Sequence, residues 1–143
     1  MLIAFILTHI PNPRMNKRID VAKSVGKVVV ICVRRASQNI WEPVHKDVRH
    51  EIINIDLPPS KRIIKRLIAS CEYKKAALNL LKQNTPSVIY TEGLDSLGIA
   101  CSYRRTHPSC RIVYEVADLR ESYIEEPHSF IASAVCKAIK WRE

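Results

Sequence analysis

The chain has 143 residues, of which 47% are hydrophobic and 26% are charged, a composition that excludes an intrinsically disordered protein. Its length allows one domain with a single hydrophobic core. The 23 lysines and arginines exceed the 14 acidic residues and give a net charge of +9, which favours partners that carry phosphate or another anion.

Five short apolar segments, most of them rich in Val and Ile, are interpreted as strands. They cover residues 2–7, 28–33, 51–55, 87–90 and 111–116. Most of them do not alternate cleanly between apolar and polar residues. Continuous apolar runs are typical of strands that are covered on both faces, and they predict a parallel sheet.

Four helices are predicted between and after these strands, at residues 14–25, 60–83, 94–105 and 129–141. Residues 35–49 are predicted to form a surface loop. Helical spacing places Met15, Ile19, Ala22 and Val25 on one face of the first helix. In the second helix the same spacing predicts an inner stripe of Ile64, Leu67, Ile68, Cys71, Leu78 and Leu81.

This order of elements predicts an α/β fold: a Rossmann-like, doubly wound parallel sheet of about five strands with helices on both faces. The expected strand order is 3-2-1-4-5, and residues 1–143 form one domain. The last predicted helix runs into the end of the chain. We therefore expect the chain to be a part of a larger enzyme.

The five cysteines are odd in number, and no two are separated by only two residues. This pattern argues against a disulfide framework and against a zinc site, so no metal is expected. Free cysteines indicate a reducing compartment, the cytoplasm. The apolar segment at the start of the chain is too short to span a bilayer and lacks the features of a signal peptide.

In a doubly wound sheet, ligands bind at the carboxyl ends of the strands, near the point where the strand order reverses. The candidate cleft-lining residues there are His9, Asn12, Arg14, Asp95, Arg120 and Glu121, and the candidate catalytic carboxylates are Glu92 and Asp118. A carboxylate at this edge can bind a hydroxyl or act as a base. The alternatives are that Asp118 caps a local turn and that His9 is an ordinary loop histidine.

Phosphate-binding glycine motifs are absent from the sequence. The chain has only three glycines, and none of them lies in the turn after the first strand. Without glycine there, the backbone cannot approach a pyrophosphate closely. Nicotinamide and flavin cofactors and NTP hydrolysis are therefore not expected.

The second helix begins with a cluster of basic residues, Lys61, Arg62, Lys65 and Arg66, and Lys74 and Lys75 continue the basic surface. A basic amphipathic helix can lie against an anionic membrane. These residues are candidates for contact with a membrane or with phosphate. The alternative is a solvated face opposite the apolar stripe.

Two segments resemble family 4 glycosyltransferases. Residues 13–32 are similar to the part of that family that follows the first strand: an Arg after a Pro, a helix that ends at a Gly, and a Val-rich strand. Residues 86–122 are similar to a second pattern, in which a helix opens with Leu-Asp-Ser-Leu and the next strand ends in a Tyr-Asp-Val-His-Asp-Leu type of motif. That motif reads Tyr-Glu-Val-Ala-Asp-Leu at residues 114–119.

The resemblance implies the GT-B fold, in which two Rossmann-like domains face each other across a cleft, and this chain is similar to the N-terminal, acceptor-binding domain. It implies a retaining transfer of a sugar from a nucleotide-sugar to a lipid-linked or polysaccharide acceptor, with no obligate metal and with the donor bound by a second domain absent from this chain. No cofactor is expected in the chain itself, and the location is cytoplasmic, at the inner face of the membrane.

For individual residues, the resemblance implies that Asn12 and Arg14 lie near the acceptor or the donor phosphate, and that Glu92 and Asp118 contact hydroxyls. The chain departs from the family at Ala117, where relatives often carry a His. Glu92 and Asp118 are the positional substitutes for that His.

Two other functions are compatible with the pattern. One is a stand-alone flavodoxin-like or receiver-like binding module, although the first strand is not followed by the acidic cluster that receivers need. The other is a nucleic-acid-binding domain, which only the net charge supports, so nucleic acid is not an expected partner.

Overall fold

The computed structural model describes residues 1–35, 38, 40–56 and 63–116, with only the backbone at residues 63 and 64. The elements within these ranges are β1 (Leu2–Leu7), α1 (Pro13–Val25), β2 (Lys27–Arg34), β3 (Arg49–Asn54), α2 (Ile63–Asn84), β4 (Val88–Glu92), α3 (Leu94–Arg104) and β5 (Arg111–Glu115). The helix predicted at residues 129–141 lies outside the described residues.

The five strands form one parallel sheet in the order β3-β2-β1-β4-β5. The predicted strand order and the Rossmann-like α/β fold are thus confirmed. The chain winds from β1 outward to β3 and then crosses back to β4 on the other side of β1. The reversal point between β1 and β4 is where a doubly wound sheet opens a crevice for a ligand.

Local sequence explains how α1 begins and which face it buries. Pro13 occupies the first turn, where its missing N–H costs nothing, and the Asn12 side chain accepts a hydrogen bond of 2.8 Å from the backbone N–H of Met15. Met15 and Ile19 are fully buried, but Val25 is 61% exposed, contrary to the prediction. Ten residues of helix rotate Val25 by about 80° away from Met15, which places it at the margin of the buried stripe.

Side chains of the central strands alternate between two apolar layers. The layer that packs against α1 includes Ile3, Phe5, Leu7, Val30 and Cys32. The layer that packs against α2 and α3 includes Ala4, Ile6, Val29, Ile31 and Val33. Each central strand is therefore apolar on both faces, which explains the continuous apolar runs in the sequence.

The buried face of α2 differs from the predicted stripe. Ala69, Tyr73, Ala77 and Leu81 face the sheet, whereas Leu67 and Ile68 are 61% and 56% exposed and Cys71 is also exposed. Leu81 was predicted correctly, Leu78 packs at the edge of the core, and the side chain of Ile64 lies outside the described part. The prediction followed the aliphatic side chains, but every fourth residue from Ala69 to Leu81 turns toward the sheet, and this stripe includes two alanines and the large side chain of Tyr73. No helix in the described part of the chain is long and apolar enough to cross a membrane.

Candidate functional site

Two glutamates mark the carboxyl edge of β4 and β5. Glu92 is the last residue of β4 and lies beside Glu115, the last residue of β5, in the parallel register. Residues paired in this way point to the same face of a sheet, and here that face is the one covered by α1. Their side chains are only 9% and 15% exposed. Two carboxylates so close together need positive charge nearby to remain ionised.

That positive charge comes from the first turns of α1. Arg14 Nη2 donates a hydrogen bond to Glu92 Oε1, and Arg14 Nε lies 3.6 Å from Glu115 Oε1. Arg18, one turn later, donates from Nε and Nη2 to the two oxygens of Glu115, at 3.3 and 3.4 Å. The two arginines therefore balance the two carboxylates and tie α1 to β4 and β5.

Tyr90 completes the surroundings of Glu115. Its ring stacks on Phe5 with the ring centres 4.8 Å apart, and its hydroxyl donates to Glu115 Oε2. Burial, together with this bond to a carboxylate, raises the pKa of Tyr90 to about 12. Burial disfavours ionisation of Glu115, but the hydrogen bonds from Tyr90 and Arg18 outweigh it, so the pKa of Glu115 is lower than usual. Glu115 is accordingly a fixed negative charge at neutral pH.

Glu92 differs from Glu115 because one of its oxygens is not bonded. Glu92 Oε2 is buried and has no hydrogen-bond partner among the described residues. His9 Nε2 lies 3.4 Å from it, within ion-pair distance but without a hydrogen bond. The other ring nitrogen, Nδ1, lies 2.8 Å from the carbonyl oxygen of Ile10. His9, with a side chain 35% exposed, therefore lies between the buried carboxylate and solvent.

The structure brings together His9, Arg14 and Glu92 of the residues predicted for this edge. Asn12 acts as the cap of α1. Asp95 points elsewhere: it pairs with Arg66 at 3.4 Å and joins α3 to α2 on the opposite face of the sheet. Asp118, Arg120, Glu121, Lys61 and Arg62 lie outside the described residues, and Lys65 is exposed on α2.

Three members of the site were not predicted from the sequence: Arg18, Tyr90 and Glu115. Arg18 follows Arg14 by four residues, the spacing that puts two side chains on one helix face. Glu115 is the second-last residue of a predicted strand, and Tyr90 precedes Glu92 by two residues, so all three carried a usable signal. The sequence does not give the register of β4 against β5 or the position of α1 on the sheet, and these bring the three residues together.

Further possible sites are limited in the described part of the chain. No group of three His, Cys, Asp or Glu side chains there could hold a metal ion. A shallow depression of about 190 Å³ lies between α2 and α3, lined by Leu67, Cys71, Lys74 and Asp95 among others. It is separate from the edge cluster, which lies on the α1 face and consists of His9, Arg14, Arg18, Tyr90, Glu92 and Glu115.

The fold and the edge cluster define a Rossmann-like α/β domain with a polar site at the switch point of the sheet. Solved structures of one protein share this fold. The C-terminal domain of a hydrogenase from Pyrococcus furiosus (residues 78–226) matches with a TM-score of 0.61 and 15% identity, over 80% of this chain and 90% of that domain. A second structure of that domain (residues 83–215) matches with a TM-score of 0.56 and 14% identity, with the same coverage. No protein-family model matches the chain, and no curated protein matches it significantly. Identity this low shows the fold alone.

Proposed function

We propose that this chain is the N-terminal, acceptor-side domain of a retaining GT-B glycosyltransferase, which transfers a sugar from a nucleotide-sugar to a lipid-linked or polysaccharide acceptor. The observation that carries the proposal is the cluster of His9, Arg14, Glu92 and Glu115 at the switch-point edge. The two segments that resemble family 4 glycosyltransferases, residues 13–32 and 86–122, contribute three of these four residues.

The roles follow from position and charge. Glu92 presents a carboxylate oxygen without a donor, which suits contact with a substrate hydroxyl or the removal of its proton. Arg14 holds Glu92 in place through the opposite oxygen. Asp118 remains a second proposed carboxylate from the resemblance. The donor nucleotide-sugar would be bound by a second domain, which supplies the other wall of the cleft.

The first test is binding of nucleotide-sugars by the 143-residue chain alone, measured by isothermal titration calorimetry. A domain that supplies only the acceptor side gives no heat of binding with UDP-glucose or GDP-mannose. Tight binding of either compound by the chain alone would contradict this division of labour.

The second test measures activity with the complete product of the reading frame. That product is incubated with radiolabelled nucleotide-sugars and membrane lipid or polysaccharide acceptors. We expect label to enter the acceptor, and we expect Glu92→Gln to lower the transfer rate by about two orders of magnitude, the usual loss when a group that takes part in proton transfer is removed. Absence of both transfer and donor hydrolysis across the panel would refute the glycosyltransferase function.

A lipid-linked acceptor would bring the domain to the cytoplasmic face of a membrane. The outer surface of α2 carries both apolar and cationic side chains, a combination that can bind lipid. Leu67 and Ile68 are exposed there, and the exposed lysines Lys65, Lys74 and Lys75 lie within two turns of them. Apolar side chains flanked by cations bind the interface of an anionic bilayer. We therefore propose that this surface contacts anionic lipid.

Flotation with liposomes tests the lipid contact. We expect the chain to float with vesicles that contain phosphatidylglycerol and to remain at the bottom with pure phosphatidylcholine. The double variant Leu67→Ser with Ile68→Ser weakens flotation, whereas Val21→Ser, at an exposed apolar position on α1, is the matched control. Equal recovery with both vesicle types would refute the contact.

A further inference from the structure

We propose that the buried carboxylate of Glu92, covered by His9, is a binding site for a hydroxyl group of a neutral sugar-class ligand, and that this edge of the sheet does not bind phosphate. The inference rests on the proposed function and deepens it, because it assigns the substrate chemistry of this particular site. The resemblance implies that Arg14 lies near the acceptor or the donor phosphate, and the proposal favours the acceptor.

Charge balance argues against phosphate. Arg14 and Arg18 carry two positive charges, and Glu92 and Glu115, which they contact directly, carry two negative ones. An arginine that serves an anion normally offers its planar pair of N–H donors to it. Here Nε and Nη2 of both arginines already face carboxylates. A phosphate at this edge would be repelled by two glutamates that carry negative charge like its own.

The missing interaction at the site is a donor. Glu92 Oε2 belongs to a side chain that is more than nine-tenths buried, and no described residue donates a hydrogen bond to it. Buried polar atoms are almost always satisfied, and a charged oxygen without a donor is especially unfavourable. A ligand that brings an N–H or O–H group without negative charge removes that penalty, whereas an ionised phosphate ester brings no donor and every form of phosphate at neutral pH adds negative charge beside the carboxylate.

His9 is the side chain that such a ligand displaces. Its Nδ1 faces the carbonyl of Ile10, which can only accept, so in the neutral ring Nδ1 carries the proton. Nε2 then presents a lone pair to Glu92 Oε2 at 3.4 Å, and two acceptors repel each other. A partly exposed side chain rotates readily. Turning His9 aside opens Oε2 to a hydroxyl, and Nε2 becomes free to accept a second one.

Neighbouring hydroxyls on a sugar ring match this pair of acceptors. One hydroxyl donates to Glu92 Oε2, and its neighbour donates to His9 Nε2. The ring carries no charge, so the balance between the arginines and glutamates is preserved. An ammonium group could also donate to Glu92, but it would add a positive charge beside Arg14.

Nuclear magnetic resonance of the full chain tests the site. Amide spectra are recorded during titration with glucose, galactose, mannose or N-acetylglucosamine, and separately with inorganic phosphate at matched ionic strength. We expect at least one saccharide to shift the signals of residues 8–10 and 92–94, and phosphate to leave them in place. The proposal is overturned if none of the four saccharides shifts these signals, or if phosphate does.

Variants decide which atoms bind the saccharide. Glu92→Gln should weaken saccharide binding by about tenfold or more, since a hydrogen bond to a charged acceptor is lost. Glu51→Gln is the matched control, because it removes a partly buried carboxylate that Arg49 contacts in β3, away from the site. His9→Ala uncovers the oxygen and keeps Glu92 and Arg14 but removes the second acceptor, so binding should weaken less than in Glu92→Gln. Loss of binding in His9→Ala with no change in Glu92→Gln would overturn the assignment.

The outcome is separable from that of the proposed function. Saccharide binding at Glu92, combined with a complete reading-frame product that neither transfers nor hydrolyses nucleotide-sugars, would remove the glycosyltransferase function and leave the saccharide site. Transfer activity combined with no saccharide shift at residues 8–10 and 92–94 would remove the saccharide site at Glu92 and leave the glycosyltransferase function.

Discussion

Replacing Glu115 by Gln is the sharpest perturbation of the edge cluster. Gln keeps the shape of the side chain and can still accept the hydroxyl hydrogen bond of Tyr90, but it removes the negative charge that faces Arg14 and Arg18. The change therefore isolates the contribution of charge. Tyr90→Phe is its complement, because it removes the hydroxyl and keeps the stacking on Phe5.

The expected loss of stability for Glu115→Gln is about 1–2 kcal/mol near neutral pH. Most of it comes from the Tyr90 hydrogen bond, since a bond to a carboxylate is roughly twice as strong as one to a neutral amide. The arginine side chains are 44% and 51% exposed, so their ion pairs add little. In a double-mutant cycle, Glu115→Gln and Tyr90→Phe should couple by about 1 kcal/mol, because they share one hydrogen bond.

The effect of Glu115→Gln depends on pH in a defined direction. The folded protein holds the pKa of Glu115 below its usual value near 4.5, so the unfolded chain binds the proton at higher pH than the folded one. The stabilisation is complete above the unfolded-state pKa and is lost as the pH falls through the folded one. The difference in free energy of unfolding between wild type and variant is therefore largest near pH 7 and shrinks steadily below about pH 4.5.

Urea unfolding followed by circular dichroism, from near pH 7 down to about pH 3, measures this dependence. Asp20→Asn serves as a control for a carboxylate removed from α1 outside the cluster. A stability difference that stays constant across the pH range would refute the argument. So would strictly additive effects of Glu115→Gln and Tyr90→Phe.

Thermal or urea unfolding tests three further expectations. Leu81→Ala should cost about 2–5 kcal/mol because Leu81 is fully buried, whereas Leu67→Ala should cost less than about 0.5 kcal/mol; equal losses would contradict the observed face of α2. Asn12→Ala should cost about 1 kcal/mol through loss of the cap on α1, and Asn12→Asp should retain most of it. Gly93→Ala should cost about 1–3 kcal/mol because Gly93 has φ +81°, while Gly98→Ala, with open space around the new methyl group, should stabilise by about 0.5–1 kcal/mol; the same sign for both glycines would contradict this reasoning.

The edge cluster could be predicted from the sequence in part. His9, Arg14 and Glu92 were identified because the carboxyl ends of parallel strands meet at one edge, a rule that needs only the order of elements. Asp95 satisfied the same rule but faces α2, since the first turn of a helix points its side chains in several directions. Arg18, Tyr90 and Glu115 became members only through the register of β4 against β5 and the position of α1 on the sheet.

The order of strands and helices in residues 1–116 and the parallel sheet were determined by the sequence alone, and the predicted strand order 3-2-1-4-5 was confirmed by the structure. Each depends on local composition, namely Val- and Ile-rich runs and helical spacing, and on the right-handed connection common to all such sheets. The buried face of α2 and the pairing of Glu92 with Glu115 were decided only in the tertiary structure. Both depend on how distant segments meet: α2 turns Ala69, Tyr73, Ala77 and Leu81 toward the sheet, and one residue of register decides which face a carboxylate occupies.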